Sequence, residues 1–242
     1  MEMRLNVREK PQDQTVVMFQ KWRELLFLHW KISPQLIQST LPKGLFVDTY
    51  QEEAYLGVVP FLMRDIRPRF LPTVPGISNF LELNVRTYVI DSEGRPGVWF
   101  YSLDASQALA VQVAKTFFKL PYFKATMSSQ RNGEKHIYTS KRFMAPEVSQ
   151  FDFTPRDSLK EPSVDSVEFF LLERYLLFAY DFQSQRLFRG QVNHHPYPLQ
   201  NVEVTAIRAP FCNHPLFKNL SGSTIHQVYS PGVDVAVYPL IE

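Results

Sequence analysis

A chain of 242 residues with 45% hydrophobic and 21% charged residues and a formal net charge of +2 is long enough to bury a self-sufficient core as one unit, and it lacks the basic excess that nucleic-acid binding needs. Its 20 Phe and 11 Tyr favour pleated, half-buried surfaces, while 18 Pro disfavour long helices. Cys212 is the single cysteine, so no intramolecular disulfide can form and a reducing, cytoplasmic setting is expected. The polar stretch from Met1 to Gln14 has no apolar signal core, and the apolar run Phe169–Tyr180 is interrupted by Glu173 and Arg174, so no membrane span is expected.

In chain order, Leu25–Ile32 reads as a strand. Ser33 as N-cap with Pro34 at the first helical position opens a short helix to Leu41, ended by Pro42 and Gly44. Ala54–Met63 reads as a buried strand. Asn79–Ile90 alternates, and Val98–Leu103 returns after the turn material Asp91–Gly97. Asp104 and Gln107 resemble a capping box before a helix over Ala105–Phe118. Asn132-Gly133 marks a hairpin between strands near Lys124–Ser129 and Lys135–Phe143. Thr154–Val164, rich in proline and charge, reads as a surface loop within a single domain spanning residues 1–242. A second helix is expected from Asp165 or Ser166 toward Arg174, then strands at Arg186–His194, Asn201–Arg208 and His226–Tyr238. Short connections imply a mostly antiparallel sheet. Two helices cannot cover both faces of so many strands, so the sheet should close on itself as a β-barrel with a few peripheral helices.

The strand Phe80–Val89 is the most informative for chemistry. One face carries Leu81, Leu83, Val85, Thr87 and Val89, and the other Phe80, Glu82, Asn84, Arg86 and Tyr88. The second face is either a wet surface or the lining of the barrel; inside the barrel Glu82 and Arg86 would have to pair and could fix a polar ligand. Adjacent residues on a strand face opposite ways, so His194 and His195 cannot share a metal; His194 is either a satisfied core histidine or a pocket-lining donor or proton shuttle. The remaining histidines show no ligand spacing, and no metal or cofactor is expected. The dense group Arg64, Arg67 and Arg69 reads as solvated. No phosphate-cradling glycine motif occurs, Ser221-Gly222-Ser223 lacks the pattern of a nucleophile elbow, and the apolar setting of Cys212 disfavours a reactive thiolate.

The segments Phe27-Leu28-His29-Trp30, Leu41-Pro42-Lys43-Gly44-Leu45, Val59-Pro60-Phe61, Phe80–Tyr88, Ser102-Leu103-Asp104-Ala105 and Leu120-Pro121-Tyr122 resemble the YqjF-like family of bacterial proteins of unknown function. That family is in turn similar to acetoacetate decarboxylases, which implies a cone-shaped antiparallel β-barrel with a small-molecule pocket inside. Phe80-Leu81-Glu82 resembles the decarboxylase strand that carries its essential glutamate. Pro121-Tyr122-Phe123 stands where the decarboxylase has Pro-Lys-Lys, so the acid is kept and the Schiff-base lysine is not. The leading reading is a small-molecule-binding barrel with Glu82, Arg86, Tyr88, Tyr122 and His194 near the ligand; a homo-oligomer is compatible with the sequence. The alternatives are a lyase or decarboxylase for a small keto acid using Lys119 or Lys124, and a protein-interaction domain with a filled core. A cavity containing Glu82 and Arg86 would separate the first two from the third.

Overall fold

A computed structural model describes residues 2–108, 118–209 and 224–242. Twelve strands form one sheet: β1 Met18–Ile32, β2 Leu45–Val47, β3 Ala54–Pro68, β4 Phe80–Asp91, β5 Pro96–Ala105, β6 Tyr122–Asn132, β7 Lys135–Arg142, β8 Ser149–Ser158, β9 Leu176–Asp181, β10 Arg186–Asn193, β11 Gln200–Arg208 and β12 His226–Val237. Among the described residues three short helices accompany them, α1 Glu2–Asn6, α2 Pro34–Gln38 and α3 Val167–Leu172. None of the described helices is long and apolar enough to cross a membrane.

The sheet closes, as its composition requires, and it does so twice. The strands β12-β1-β3-β4-β5 form a common wall, which β9 and β10 close into a seven-strand circuit, while β6, β7, β8 and β11 close it into a nine-strand circuit. The two circuits part at β5, whose edge pairs with β6 at Leu103–Ala105 and with β9 at Val98–Trp99. They part again at β12, which meets β11 at Tyr229 and β10 at Ala236 and Val237. Those two contacts of β5 are parallel; the other strand pairs are antiparallel.

The middle of the common wall is therefore buried on both faces, largely by apolar side chains. Leu25, Phe27, Tyr55, Val59, Phe61 and Tyr88 face one core, into which α3 sends Phe170, Leu171 and Leu172. Leu26, Leu28, Leu56, Val58, Leu83 and Val85 face the other, against Tyr138, Phe151, Phe153 and Val202. In β3 the ten residues from Ala54 to Met63 are all buried, a run more typical of strands covered on both sides than of half-wet antiparallel ones.

Several sequence expectations shift in register or extent. The first strand begins at Met18, seven residues before the expected start. Glu24 adopts φ 55 and the β1–β3 register slips there. This bulge moves the inward face from Met18 and Trp22 to Leu25 and Phe27, so no single alternation spans the strand. Ser33 does not cap α2; its hydroxyl bonds the Gln35 side chain instead. Asp104 is no capping residue either, because it lies in β5 and accepts from Arg142 Nε at 2.9 Å and Nη2 at 2.6 Å. Most of the helix expected over Ala105–Phe118 lies outside the described residues, as do Cys212, His214 and Ser221–Ser223. Strand β8 runs through the first half of the expected loop Thr154–Val164, held by Phe151 and Phe153 in the second core. The hairpin turn also moves by one residue. Asn132 pairs with Lys135, so Gly133, at φ 62, is the first of the two loop residues, a position where glycine supplies the left-handed conformation. Strands β2 and β9 and helix α1 had no separate sequence signal. Ser166 caps α3 as expected, accepting from the Phe169 amide at 3.1 Å.

Phe153 is central to the second core, fully enclosed and close to His136 and Tyr229. Phe153→Ala should destabilise the fold by about 3 to 5 kcal/mol, read as a lowered denaturation midpoint at unchanged slope in guanidinium titration. A loss under about 1 kcal/mol, the scale of ordinary surface substitutions, would mean that the nine-strand circuit has no packed interior.

Candidate functional site

The face of β4 that carries Glu82, Asn84, Arg86 and Tyr88 points into the first core, and all four residues are buried. Alternation puts them there: their neighbours Leu83 and Val85 fill the second core. Glu82 and Arg86 do not pair. Four residues along a strand separate their Cα atoms by roughly 13 Å, and each side chain turns to different partners.

Glu82 Oε2 accepts from the Tyr122 hydroxyl at 2.8 Å. Asn84 also hydrogen-bonds the Glu82 carboxyl, yet burial dominates and pushes its pKa up to about 8. The Tyr138 hydroxyl reaches in from β7 to donate to the Glu82 carbonyl at 2.7 Å. Tyr122 is thus a direct partner of the acid. Of the two lysines that might have replaced the nucleophile, Lys119 donates to Asp181 Oδ2 at 2.6 Å near the surface and Lys124 is exposed. Neither joins Glu82.

Arg86 presents a different situation. Its Nε and Nη2 are buried and have no hydrogen-bond partner among the described residues. Its guanidinium lies over Phe27 at 5.6 Å and Tyr88 at 5.8 Å from the ring centres, and its charge is felt at His29, His194 and Tyr197. The Nε and Nη2 edge is the one that Arg142 turns to Asp104 elsewhere in this protein. Asn84 Oδ1 is likewise buried without a donor.

His194 sits just past the end of β10, buried between Tyr175 and Tyr197, with ring centres at 4.6 and 4.7 Å. Burial lowers its pKa to about 4, so the ring is neutral. Nδ1 contacts the His195 carbonyl at 2.7 Å. A carbonyl only accepts, so Nδ1 carries the proton and Nε2 is a bare acceptor, buried and unpartnered. His195 is exposed. A cavity of about 1030 Å³ opens beside His194, with Arg8, Lys10, Phe19, Arg67 and Asn193 among its lining. Of the residues assigned to the site from the sequence, His194 alone borders it.

Sequence reasoning missed a second polar cluster on the same core. Arg174 Nη1 is 2.6 Å from Asp48, which also binds Arg4 at 2.7 Å. The Arg174 guanidinium covers Tyr88 at 5.0 Å and Phe170 at 4.3 Å. The two buried arginines therefore flank one tyrosine ring, and the one with a carboxylate partner is Arg174. His29 and His226 also meet in this core, directly opposite each other on β1 and β12. The alternation of β1 placed His29 on the inward face, but its partner is 197 residues away. Among the described residues no group of three or more His, Cys, Asp or Glu is arranged to hold a metal.

This closed barrel with a buried polar strand face defines an acetoacetate decarboxylase-like fold. The solved structures of that fold include the enduracididine biosynthesis enzyme MppR complexed with pyruvate, 14% identical with a TM-score of 0.66 over 94% of this chain and 90% of that one. The acetoacetate decarboxylase of Legionella pneumophila is 10% identical, TM-score 0.66, over 97% and 91%. An acetoacetate decarboxylase-like enzyme of Sphingomonas wittichii is 12% identical, TM-score 0.62, over 94% of both chains. Within that fold the chain belongs to the DUF2071 family, described as an uncharacterized conserved protein, whose model matches residues 19–234. It is 37% identical to the uncharacterized protein YqjF of Bacillus subtilis over 226 residues, 93% of this chain and 91% of the relative.

The raised pKa of Glu82 has a stability consequence of definite sign. The folded state holds a proton that the unfolded state releases above the ordinary value of 4.5. Glu82 therefore lowers stability as pH rises from about 4.5 to about 8, and the loss is complete above that window. Glu82→Gln should abolish this component. Its stability relative to wild type should be greater at pH 8.5 than at pH 5.5 by an amount on the order of a few kcal/mol. Equal differences at both pH values in urea titrations would show that Glu82 ionises normally.

Proposed function

We propose that the interior bounded by β1, β3, β4 and β12 binds a small organic acid, with Arg86 as the carboxylate anchor. The observation that carries this reading is the pair of buried, unpartnered nitrogens Nε and Nη2 on Arg86. A buried cation without a counter-charge costs several kcal/mol, and this edge of a guanidinium matches a carboxylate with two parallel hydrogen bonds. Asn84 Oδ1 and His194 Nε2, both acceptors without donors, suit a ligand that also carries hydroxyl or protonated groups. Glu82, largely protonated at neutral pH, and neutral His194 supply a proton donor and a proton acceptor within the same core. The cavity beside His194 is lined by neither Glu82 nor Arg86, so binding at Arg86 requires the core between them to open. The pyruvate complex of the similar MppR structure agrees with a small acid as ligand.

The mechanism does not run through a Schiff base. A lysine must be held neutral to attack a carbonyl, and Lys119 is instead ion-paired to Asp181 while Lys124 is exposed. Incubation with acetoacetate followed by borohydride should leave both lysines unmodified in peptide mass maps. Stoichiometric labelling of either one would restore the decarboxylase reading.

Arg86→Met separates a ligand anchor from a structural cation. Removing an unpaired buried charge should leave the ligand-free protein as stable as wild type or more so. Pyruvate or lactate should raise the melting temperature of wild type, by an increment equivalent to about 2.7 kcal/mol at a hundredfold excess over Kd, and should have no effect on the variant. Equal responses of both proteins, or none in wild type across a panel of small carboxylates, would overturn the assignment.

A further inference from the structure

A line of hydrogen-bonding groups leads from the first core to the surface. The Tyr88 hydroxyl is 2.7 Å from His29 Nε2, and His29 Nδ1 is 2.9 Å from His226 Nδ1. His226 Nε2 in turn faces Glu168 Oε1 at 3.9 Å. Tyr88 and His29 are fully enclosed, while the Glu168 side chain is 38% exposed. The line thus starts under Arg86 and ends at a carboxylate in contact with solvent.

The backbone is shaped to permit it. His29 stands opposite His226 on one side of β1 and opposite Gly57 on the other. A Cβ on Gly57 would lie 2.9 Å from the Tyr88 hydroxyl, 3.3 Å from Arg86 Cγ and 3.3 Å from His29 Cδ2. Gly57 does not take a left-handed conformation, so what it supplies is space: any side chain here would push tyrosine and histidine apart.

From this geometry we propose that Tyr88, His29, His226 and Glu168 form a proton path between the barrel interior and the surface. The order of the protons follows from the acceptor at the outer end. A carboxylate only accepts, so His226 points its Nε2–H at Glu168 and leaves Nδ1 bare. His29 then donates from Nδ1 to His226 and accepts at Nε2 from the Tyr88 O–H. A proton delivered to the Tyr88 oxygen from within the core displaces the tyrosine proton to His29 Nε2. His29 passes its Nδ1 proton to His226 Nδ1, and His226 passes its Nε2 proton to Glu168. One proton enters and one leaves, no ring carries a net charge at the end, and each ring has changed tautomer. The last step needs a small rotation of the exposed Glu168 side chain, because 3.9 Å exceeds hydrogen-bond length.

The charged and titratable groups around the line are Arg86 on β4, Arg174 just past α3, Tyr197, Glu168 on α3 and the two histidines themselves. Burial leads in holding both histidines below their ordinary pKa, with the neighbouring His226 and Arg86 adding to it at His29, while Glu168 opposes it at His226. Neutral rings are what such a path requires, since an imidazolium at either position would have two donors and no acceptor. The use of the path for a bound acid rests on the reading given above for Arg86, but its existence does not, and it can be tested without any ligand.

The full chain labelled with nitrogen-15 in histidine should show a scalar coupling between the Nδ1 atoms of His29 and His226, with the shared proton on His29. In Glu168→Lys the ammonium becomes a donor to His226 Nε2, and the shared proton should move to the Nδ1 of His226. A purely structural contact between the rings would not respond in that way to a change of charge at the surface. Absence of the coupling in wild type, a shared proton already on His226, or an unchanged tautomer in a folded Glu168→Lys would each overturn the proposal. The wild-type spectrum decides the matter alone if the variant does not fold. Gly57→Ala should separate the inner step from the outer one, losing the His29 Nε2 hydrogen-bond shift while the coupling between the rings persists; a retained shift would also count against the path. A carboxylate that fails to bind wild type would remove the ligand reading and leave these spectra unaffected.

Discussion

The buried polar groups of the site lie on a wall whose middle has no wet face. Strands β1, β3 and β4 belong to both circuits of the sheet, so the central residues on either side of them are cut off from water. In an ordinary antiparallel sheet an alternating strand sends its polar residues to solvent. Here β4 alternates and is nonetheless buried on both faces from Glu82 to Val89. Glu82, Asn84 and Arg86 must then find partners inside, change their ionisation or wait for a ligand.

The three respond differently, and the differences follow from what reaches them. Glu82 meets Tyr122 and Asn84 but no cation, so desolvation wins and the acid keeps its proton to about pH 8. Asp104 is also pushed upward by burial, but Arg142 opposes the shift by hydrogen bonding and charge. Arg174 retains a carboxylate through Asp48. Arg86 has aromatic faces and no counter-charge, which leaves its hydrogen-bonding edge as the strongest unmet demand in the core. A guanidinium cannot relieve itself by losing a proton as a lysine can. That asymmetry is why the site reads as an anion anchor rather than as a residue of the decarboxylase chemistry.

The tyrosine at position 122 fits the same electrostatics. A lysine beside Glu82 would form an ion pair and hold the carboxylate charged. Tyr122 instead donates a neutral hydrogen bond to a group that is protonated for much of the physiological range, with its own ionisation pushed far upward by burial and by Glu82. The fold is shared with acetoacetate decarboxylase, and in this chain a direct side-chain partner of the buried acid is a tyrosine.

Local pattern was enough for the barrel and most strands, and it put Glu82, Arg86 and Tyr88 on one face of β4 without deciding whether that face was wet; in the structure it is buried, as are Tyr122 and His194. Alternation decides which side of a strand a residue takes, and proline with aromatic content decides that strands dominate. The same pattern stopped at Glu24, where a left-handed residue exchanges the faces of β1, and at β8, where turn-forming residues hide the strand anchored by Phe151 and Phe153. Partnership was beyond it. Glu82 and Arg86 are four apart and opposite in charge, yet an extended backbone holds them apart; the partner of Glu82 arrives from β6, and Nε and Nη2 of Arg86 have none among the described residues. His29 and His226 lie 197 residues apart and touch because β12 closes the barrel against β1. The sequence by itself determined which residues share a face of a strand, since that depends on a period of two along regular backbone. Only the tertiary structure decided which of them meet, since that depends on the register at which distant strands close the sheet.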